Sequence, residues 1–155
     1  MLSGVDAAGG DWKAKLKALG LGRKRRAPGG APAARRDRRK LDAGEAGETM
    51  AAGHLAEQGL RVLARNVRYR NGELDLVAEE GAAVVFVEVR RRRTAGRGGP
   101  AESVTARKRG RVVRAARRWL VENPRFSRRE IRFDVVAIQD EPFSLDWIRG
   151  AFDAV

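Results

Sequence analysis

Two short apolar stretches are interrupted by carboxylates: Gly72-Glu73-Leu74-Asp75-Leu76-Val77 and Val84-Val85-Phe86-Val87-Glu88-Val89-Arg90. A run rich in β-branched and aromatic residues reads as a central strand covered on both faces. A charge inside such a strand is costly unless it is paired or holds a cation. The two stretches therefore call for a sheet that carries acids at its centre, and they single those acids out for a chemical role.

In the first stretch Glu73 and Asp75 alternate with Leu74 and Leu76, the period of a strand with one packed face and one acidic face. In the second, Glu88 and Arg90 share a face. Glu80-Gly81 supplies a turn between them, so an antiparallel hairpin is the simplest connection. Pairing Ala78 with Ala83 sets Asp75 opposite Phe86 and Glu73 opposite Glu88; a register shifted by two sets Asp75 opposite Glu88. Either register makes Asp75 and Glu88 neighbours. Carboxylates that close repel unless a cation lies between them, and all-oxygen ligation suits Mg²⁺ or Mn²⁺. Residues 42–58 have helix-forming composition, with Glu48, Ala51, Ala52 and Leu55 on one face and Met50, His54 and Glu57 on the other. Glu48 thus points toward the sheet as a third carboxylate, although the dipole at a helix N-terminus accounts for an acid there equally well.

The remaining segments complete a mixed α/β fold. Gly59 stops the first helix and residues 60–68 form a strand. Asn71-Gly72 turns that strand into the Glu73 strand. Residues 101–122 form a second helix with Val112, Ala116, Trp119 and Leu120 as its buried stripe, closed by Pro124. Residues 131–138 return to the sheet. After the Asp140-Glu141-Pro142 turn, residues 144–148 form a short edge strand. Asp134 is expected to be a salt-bridge partner, and Trp147, Ile148 and Phe152 to be core.

The net charge of +13 divides unevenly. Residues 1–43 hold 12 basic and 4 acidic side chains, giving +8; residues 44–155 hold 21 and 16, giving +5. Residues 1–40 therefore read as a disordered basic extension that attracts polyanions through counterion release, and residues 41–155 as one domain. Within the domain Arg90-Arg91-Arg92-Arg93 leads into a glycine-rich loop over 94–100. Arg107, Arg111, Arg114 and Arg118 then recur at helical spacing, matching a phosphate backbone. An ordinary solvated face is the commoner reason for such a stripe, but it usually has interleaved acids, which are nearly absent here. Lys108 lies between the apolar and basic faces, placed to contact phosphate or to snorkel. The chain has no cysteine and one histidine, His54, which argues against disulfides and against zinc. No apolar run reaches the length of a membrane span, and no signal-peptide hydrophobic region is evident, so a cytoplasmic protein is expected.

The ordered series Gly47-Glu48, Arg65-Asn66, Asn71 to Val77, Val85 to Arg92, Lys108 and Arg132-Phe133-Asp134-Val135-Val136 resembles the YraN family of bacterial proteins over residues 41–152. That family is related to Holliday-junction resolvases and to the restriction-endonuclease-like fold of the PD-(D/E)xK nucleases. The resemblance implies a mixed sheet of three antiparallel strands, then a helix and a further strand, flanked by helices. It also implies a helix glutamate, a strand aspartate and an E-x-K gathered around Mg²⁺, which here are Glu48, Asp75, Glu88 and the position of Arg90. Glu73, which shares a face with Asp75, is read from the strand period as a support behind these ligands or as an alternate ligand. The expected role is a metal-dependent endonuclease acting on DNA, with Arg91, Arg92, Arg107, Lys108, Arg111, Arg114 and Arg118 on the nucleic acid. Cutting a branched junction would take two symmetry-related sites and so a homodimer, for which the sequence carries no diagnostic interface. The chain departs from the nuclease pattern at Arg90: lysine can help deprotonate the attacking water, whereas a guanidinium stays protonated and can only stabilise charge on phosphate. Two alternatives follow, a nucleic-acid-binding protein that keeps the fold without hydrolysis, and a structural or regulatory partner whose acids pair with its arginines.

Overall fold

Strands that are apolar on both faces need a cover on each, and the chain supplies one helix to each. The computed structural model describes residues 32–94 and 104–154, with side chains from residue 42 onward. The elements in order are α1 (Pro32–Glu57), β1 (Arg61–Tyr69), β2 (Gly72–Glu80), β3 (Ala83–Thr94), α2 (Ala106–Glu122), a 3₁₀ turn (Pro124–Phe126), β4 (Glu130–Glu141) and β5 (Ser144–Phe152). The five strands form one sheet in the order β1-β2-β3-β4-β5. All neighbours are antiparallel except β3 and β4, which run parallel and so need the long crossover that carries α2. This is the mixed α/β sheet flanked by helices that the sequence leads one to expect.

Each face has its own core. Val112, Ala116 and Trp119 of α2 pack on Leu74, Val84, Phe86, Phe133, Val135 and Phe152. Ala51 and Leu55 of α1 pack on Leu76, Ala78, Val85, Val87, Val136 and Ile138. Phe86 anchors the first cluster, edge-on to Trp119 and stacked on Phe133. Phe152 is buried and Ile148 packs against the same cluster, so the terminal apolar residues are core as expected, and β5 runs past residue 148 to include them.

Several boundaries differ from expectation for local reasons. Helix α1 begins at Pro32 rather than near residue 42, extending into the segment expected to be disordered; residues 1–31 of that extension lie outside the described residues. Gly59 ends it with φ +93°, a left-handed conformation that glycine adopts freely. Helix α2 starts at Ala106 rather than 101, because Thr105 caps it by accepting the Lys108 N–H. Strand β3 continues through Arg90 to Arg93, held by parallel pairing with β4 as far as Thr94↔Glu141. Apart from Thr94, the expected glycine loop lies outside the described residues.

Two glycines let the helices approach the sheet. A Cβ on Gly72 would stand 2.4 Å from the Arg111 carbonyl oxygen, so α2 rests directly on the start of β2. A Cβ on Gly47 would meet Arg91 Cδ at 3.3 Å and Val89 Cγ1 at 3.8 Å, where α1 crosses β3.

A candidate acid cluster between two strands

The hairpin pairs Glu80↔Ala83 through Leu76↔Val87, the register shifted by two, not the one with Ala78 opposite Ala83. Pairing ends there, and Asp75 and Glu88 are the next residues in line. Because the strands have parted, the Val89 N–H has lost its partner across the ladder; Asp75 Oδ2 accepts from it at 2.8 Å. The regular alternation expected for β2 breaks at the same point. Leu74 joins the α2-side core and Leu76 the α1-side core, so the two leucines do not share a face.

Glu88 is 1% exposed, and no well-aligned hydrogen bond reaches either of its oxygens. What does reach it is charge. Lys108 Nζ stands 2.8 Å from Glu88 Oε1 and 3.9 Å from Glu73 Oε1. Arg90, in the strand position where the nuclease pattern has lysine, is more distant, with Nη1 3.9 Å from the same Glu88 oxygen. Helix α2 thus brings an ammonium to the acids that the strand itself does not provide. Glu48, on α1, lines the same cleft as Asp75, Arg90, Arg92 and Lys108, a space of about 520 Å³. Its Oε2 is likewise buried without a partner.

The electrostatics follow from burial and crowding. Burial, then the Asp75 charge, pushes the Glu88 carboxyl up to about 7, against the pull of Lys108. Burial also raises Asp75, although the Val89 N–H favours its ionised form. Glu48 is raised by burial and by Asp75, with the Asn66 side chain opposing. Burial works to lower the Lys108 ammonium, but Glu88, Asp75 and Glu73 together outweigh it and hold it above its ordinary value. The site therefore combines carboxyls that resist ionisation with a lysine that stays charged. Among the described residues no three carboxylate, histidine or cysteine side chains come together as a ready-made metal cage.

The other expected residues separate into free and committed cations. Arg91 donates to Asp140 Oδ1 at 3.0 Å and to the Ala43 carbonyl at 3.1 Å, and Arg118 donates to Glu122 Oε1 at 2.8 Å, so both serve the fold. Arg107, Arg111 and Arg114 are exposed and make no ion pair with described residues. Asp134 is a salt-bridge partner as expected, taking both Arg132 Nε at 2.8 Å and Nη2 at 3.0 Å. Lys108 is the residue whose place the sequence reading did not foresee. A signal was available: in a chain with 27 arginines and 6 lysines, it is the only lysine after residue 40. A site that demands an ammonium resists the arginine bias found everywhere else in the domain.

The profile of the uncharacterised protein family UPF0102 matches residues 47–138. A UPF0102 protein of Ectopseudomonas mendocina is 54% identical over 114 residues, covering 73% of this chain and 96% of that protein. One from Xanthomonas campestris pv. campestris is 49% identical over 121 residues, covering 78% and 95%. One from Pseudomonas aeruginosa strain PAO1 is 47% identical over 117 residues, covering 73% and 94%.

Proposed function

The chain belongs to the uncharacterised protein family UPF0102, and from the geometry of its acid cluster we propose that it is a metal-dependent nuclease hydrolysing phosphodiester bonds in DNA. The observation that carries the reading is Glu88: a carboxylate buried in a central strand beside Asp75, with Oε1 met by the Lys108 ammonium and no described cation on Oε2. Carboxylate oxygens without partners are hard donors that fit Mg²⁺ or Mn²⁺, and Mg²⁺ is commonly held by one or two carboxylates with water completing its shell. The absence of a three-carboxylate cage is compatible with that coordination.

Asp75 and Glu88 would hold the ion, with Glu48 placing a water or a second ion from the facing helix. A bound ion supplies charge stabilisation at the phosphoryl oxygen and lowers the pKa of an attacking water. Lys108, held above its ordinary pKa, is a donor rather than a base; its ammonium orients water and balances negative charge accumulating on phosphate. Arg90 lies on the same side and adds a second cation within reach of Glu88. The loss of the strand lysine is thus offset by Lys108 from α2. Arg92, in the cleft of the cluster, and Arg107, Arg111 and Arg114, exposed on α2, would be phosphate contacts.

The test is cleavage of labelled single-stranded, duplex, flap and four-way-junction DNA with Mg²⁺, Mn²⁺ or EDTA. The expected outcome is metal-dependent cleavage lost in Asp75→Ala and Glu88→Ala, reduced about a hundredfold or more in Lys108→Ala, and reduced less in Arg90→Ala. Activity that needs Arg90 but not Lys108 would reverse the assignment. A second reading, nucleic-acid binding without hydrolysis, draws on the same contact, because Lys108 already balances Glu88. It predicts binding that survives both EDTA and Asp75→Ala, with no cleavage in either metal.

A further inference from the structure

A second cleft, about 450 Å³, shares Lys108 with the cleft of the acid cluster. Its walls are the end of the β1–β2 hairpin, with Arg68, Tyr69 and Arg70, and the first turns of α2, with Lys108, Arg111 and Arg114. Its floor is closed where Gly72 rests on the Arg111 backbone. The four arginines are exposed and make no ion pair with described residues. Glu73, the one carboxylate in the wall, faces Lys108 at 3.9 Å. Tyr69 is only half-exposed: its ring packs against the α2-side core, and its hydroxyl donates to Glu122 Oε2 at 2.8 Å, so packing holds the ring beside the cleft.

We propose that this cleft binds one unpaired nucleotide next to the bond being cut, its base stacked on Tyr69 and its phosphates held by Arg68, Arg70, Arg111 and Arg114. Uncommitted cations on two facing elements suit the repeating charge of a polynucleotide backbone. A fixed aromatic ring among them suits a base, because stacking tolerates any sequence. The space admits a nucleotide and is far too small for a duplex, so the occupant is a single strand, whether a free end, a flap or the unpaired arm of a branched molecule. Lys108 lines both clefts, so a strand lying in this one enters the acid cluster at Lys108. The inference rests on the reading of that cluster as acting on phosphodiesters, yet its own test needs no metal.

Fluorescence anisotropy in EDTA, with short oligo(dT), oligo(rU) and a blunt duplex as probes, decides it. The wild-type protein is expected to bind either single strand more tightly than the duplex, and the dT and rU arms show which sugar is preferred. Tyr69→Ala is expected to weaken single-strand binding about tenfold and duplex binding less than about twofold, while Tyr69→Phe, which keeps the ring and loses the Glu122 bond, stays near wild type. Arg70→Ala is expected to weaken single-strand binding and to reduce its salt slope by about 0.7, one phosphate contact. Equal losses on strand and duplex, no loss in Tyr69→Ala, or tighter binding of duplex than of strand overturns the proposal. If Tyr69→Ala fails to fold, the Arg70→Ala salt slope decides alone, and an unchanged slope overturns it. Absence of cleavage with metal, alongside these binding results, counts against the nuclease reading and leaves the strand cleft standing.

Discussion

Glu88 and Asp134 lie on adjacent strands and are buried to nearly the same degree, 1% and 0% exposed, yet the fold treats them in opposite ways. Asp134 accepts from Arg132 Nε and Nη2, from Trp147 Nε1 at 2.9 Å and from the Gly150 N–H at 2.9 Å. Arg132 also donates to Glu80 at 2.8 Å, and Glu80 pairs with Arg149, so the charge is distributed over a closed network. Asp134 and then Glu80 hold the Arg132 guanidinium above its ordinary range. Glu88 has no such set of donors: the Lys108 ammonium meets Oε1 at 2.8 Å, Arg90 stands 3.9 Å from the same oxygen, and no described cation reaches Oε2. Both carboxylates bear the cost of desolvation, but only Asp134 has it offset by a full set of donors within the protein. The same sheet can satisfy a buried acid, which makes the unsatisfied one the candidate for an external partner.

The largest effect that tests this contrast is on stability. Asp134→Ala leaves Arg132, Trp147 Nε1 and the Gly150 N–H without their acceptor, and is expected to cost about 3–5 kcal/mol in urea unfolding. Glu88→Gln in metal-free buffer is expected to cost nothing or to stabilise, because it removes a charge the fold does not accommodate. Equal losses from the two variants would show that Glu88 is as structural as Asp134. A smaller effect tests how the cation reaches Glu88. In Gly72→Ala the new Cβ would meet the Arg111 carbonyl at 2.4 Å, backbone against side chain, so α2 has to lift. The expected cost is about 1–3 kcal/mol, with cleavage reduced further than Tm suggests because Lys108 moves off Glu88.

The two halves of the contrast were unequally legible in the sequence. Asp134 reads as a salt-bridge partner from its place in an apolar strand with Arg132 two residues away, and a two-residue strand period is enough to bring them together. The order of elements and the closeness of Asp75 to Glu88 follow from strand period and turn chemistry in the same way. Lys108 is different. Its contact with Glu88 joins residues on separate elements through the seating of α2 on Gly72, and helix periodicity says only that Lys108 borders the apolar face. The break of β2 at Asp75 was hidden for a similar reason. Alternating leucines predict an unbroken strand, whereas β2 leaves β3 before Asp75 while staying paired with β1 as far as Tyr69↔Gly72, which local period does not encode. The committed state of Arg91 and Arg118 also depends on acids distant in sequence or a helical turn away, so a count of basic residues could not separate them from Arg111 and Arg114.

The smallest effect is the most specific, because it reads the protonation of Glu88 itself. Its carboxyl is raised from an ordinary value of 4.5 to about 7 by burial and by Asp75. The folded state therefore favours the protonated acid more strongly than the unfolded state does. Its contribution to stability is complete below about pH 4.5 and is lost as pH rises through about 7. Asp75 is raised as well and acts with the same sign, whereas Glu79, Glu80 and Glu122 are lowered by their arginine or tyrosine partners and lose their contribution only on the acid side of this window. Lys108 keeps its charge throughout, since its pKa lies above the ordinary lysine value. A full shift of that size corresponds to about 3 kcal/mol, but Asp75 shares the burden of the same proton and Lys108 compensates the charge that forms. In EDTA a decline on the order of 1–2 kcal/mol is expected between about pH 5 and pH 8, read from urea midpoints across that range. Glu88→Gln should flatten it and be the more stable protein at the alkaline end. Mg²⁺ at about pH 8 should restore the wild-type midpoint and leave the variant unmoved, since only an ionised carboxylate gains from the ion. A wild-type profile that is already flat in EDTA would mean that Lys108 alone satisfies Glu88, which removes the asymmetry with Asp134 and with it the reason to assign Glu88 an external partner.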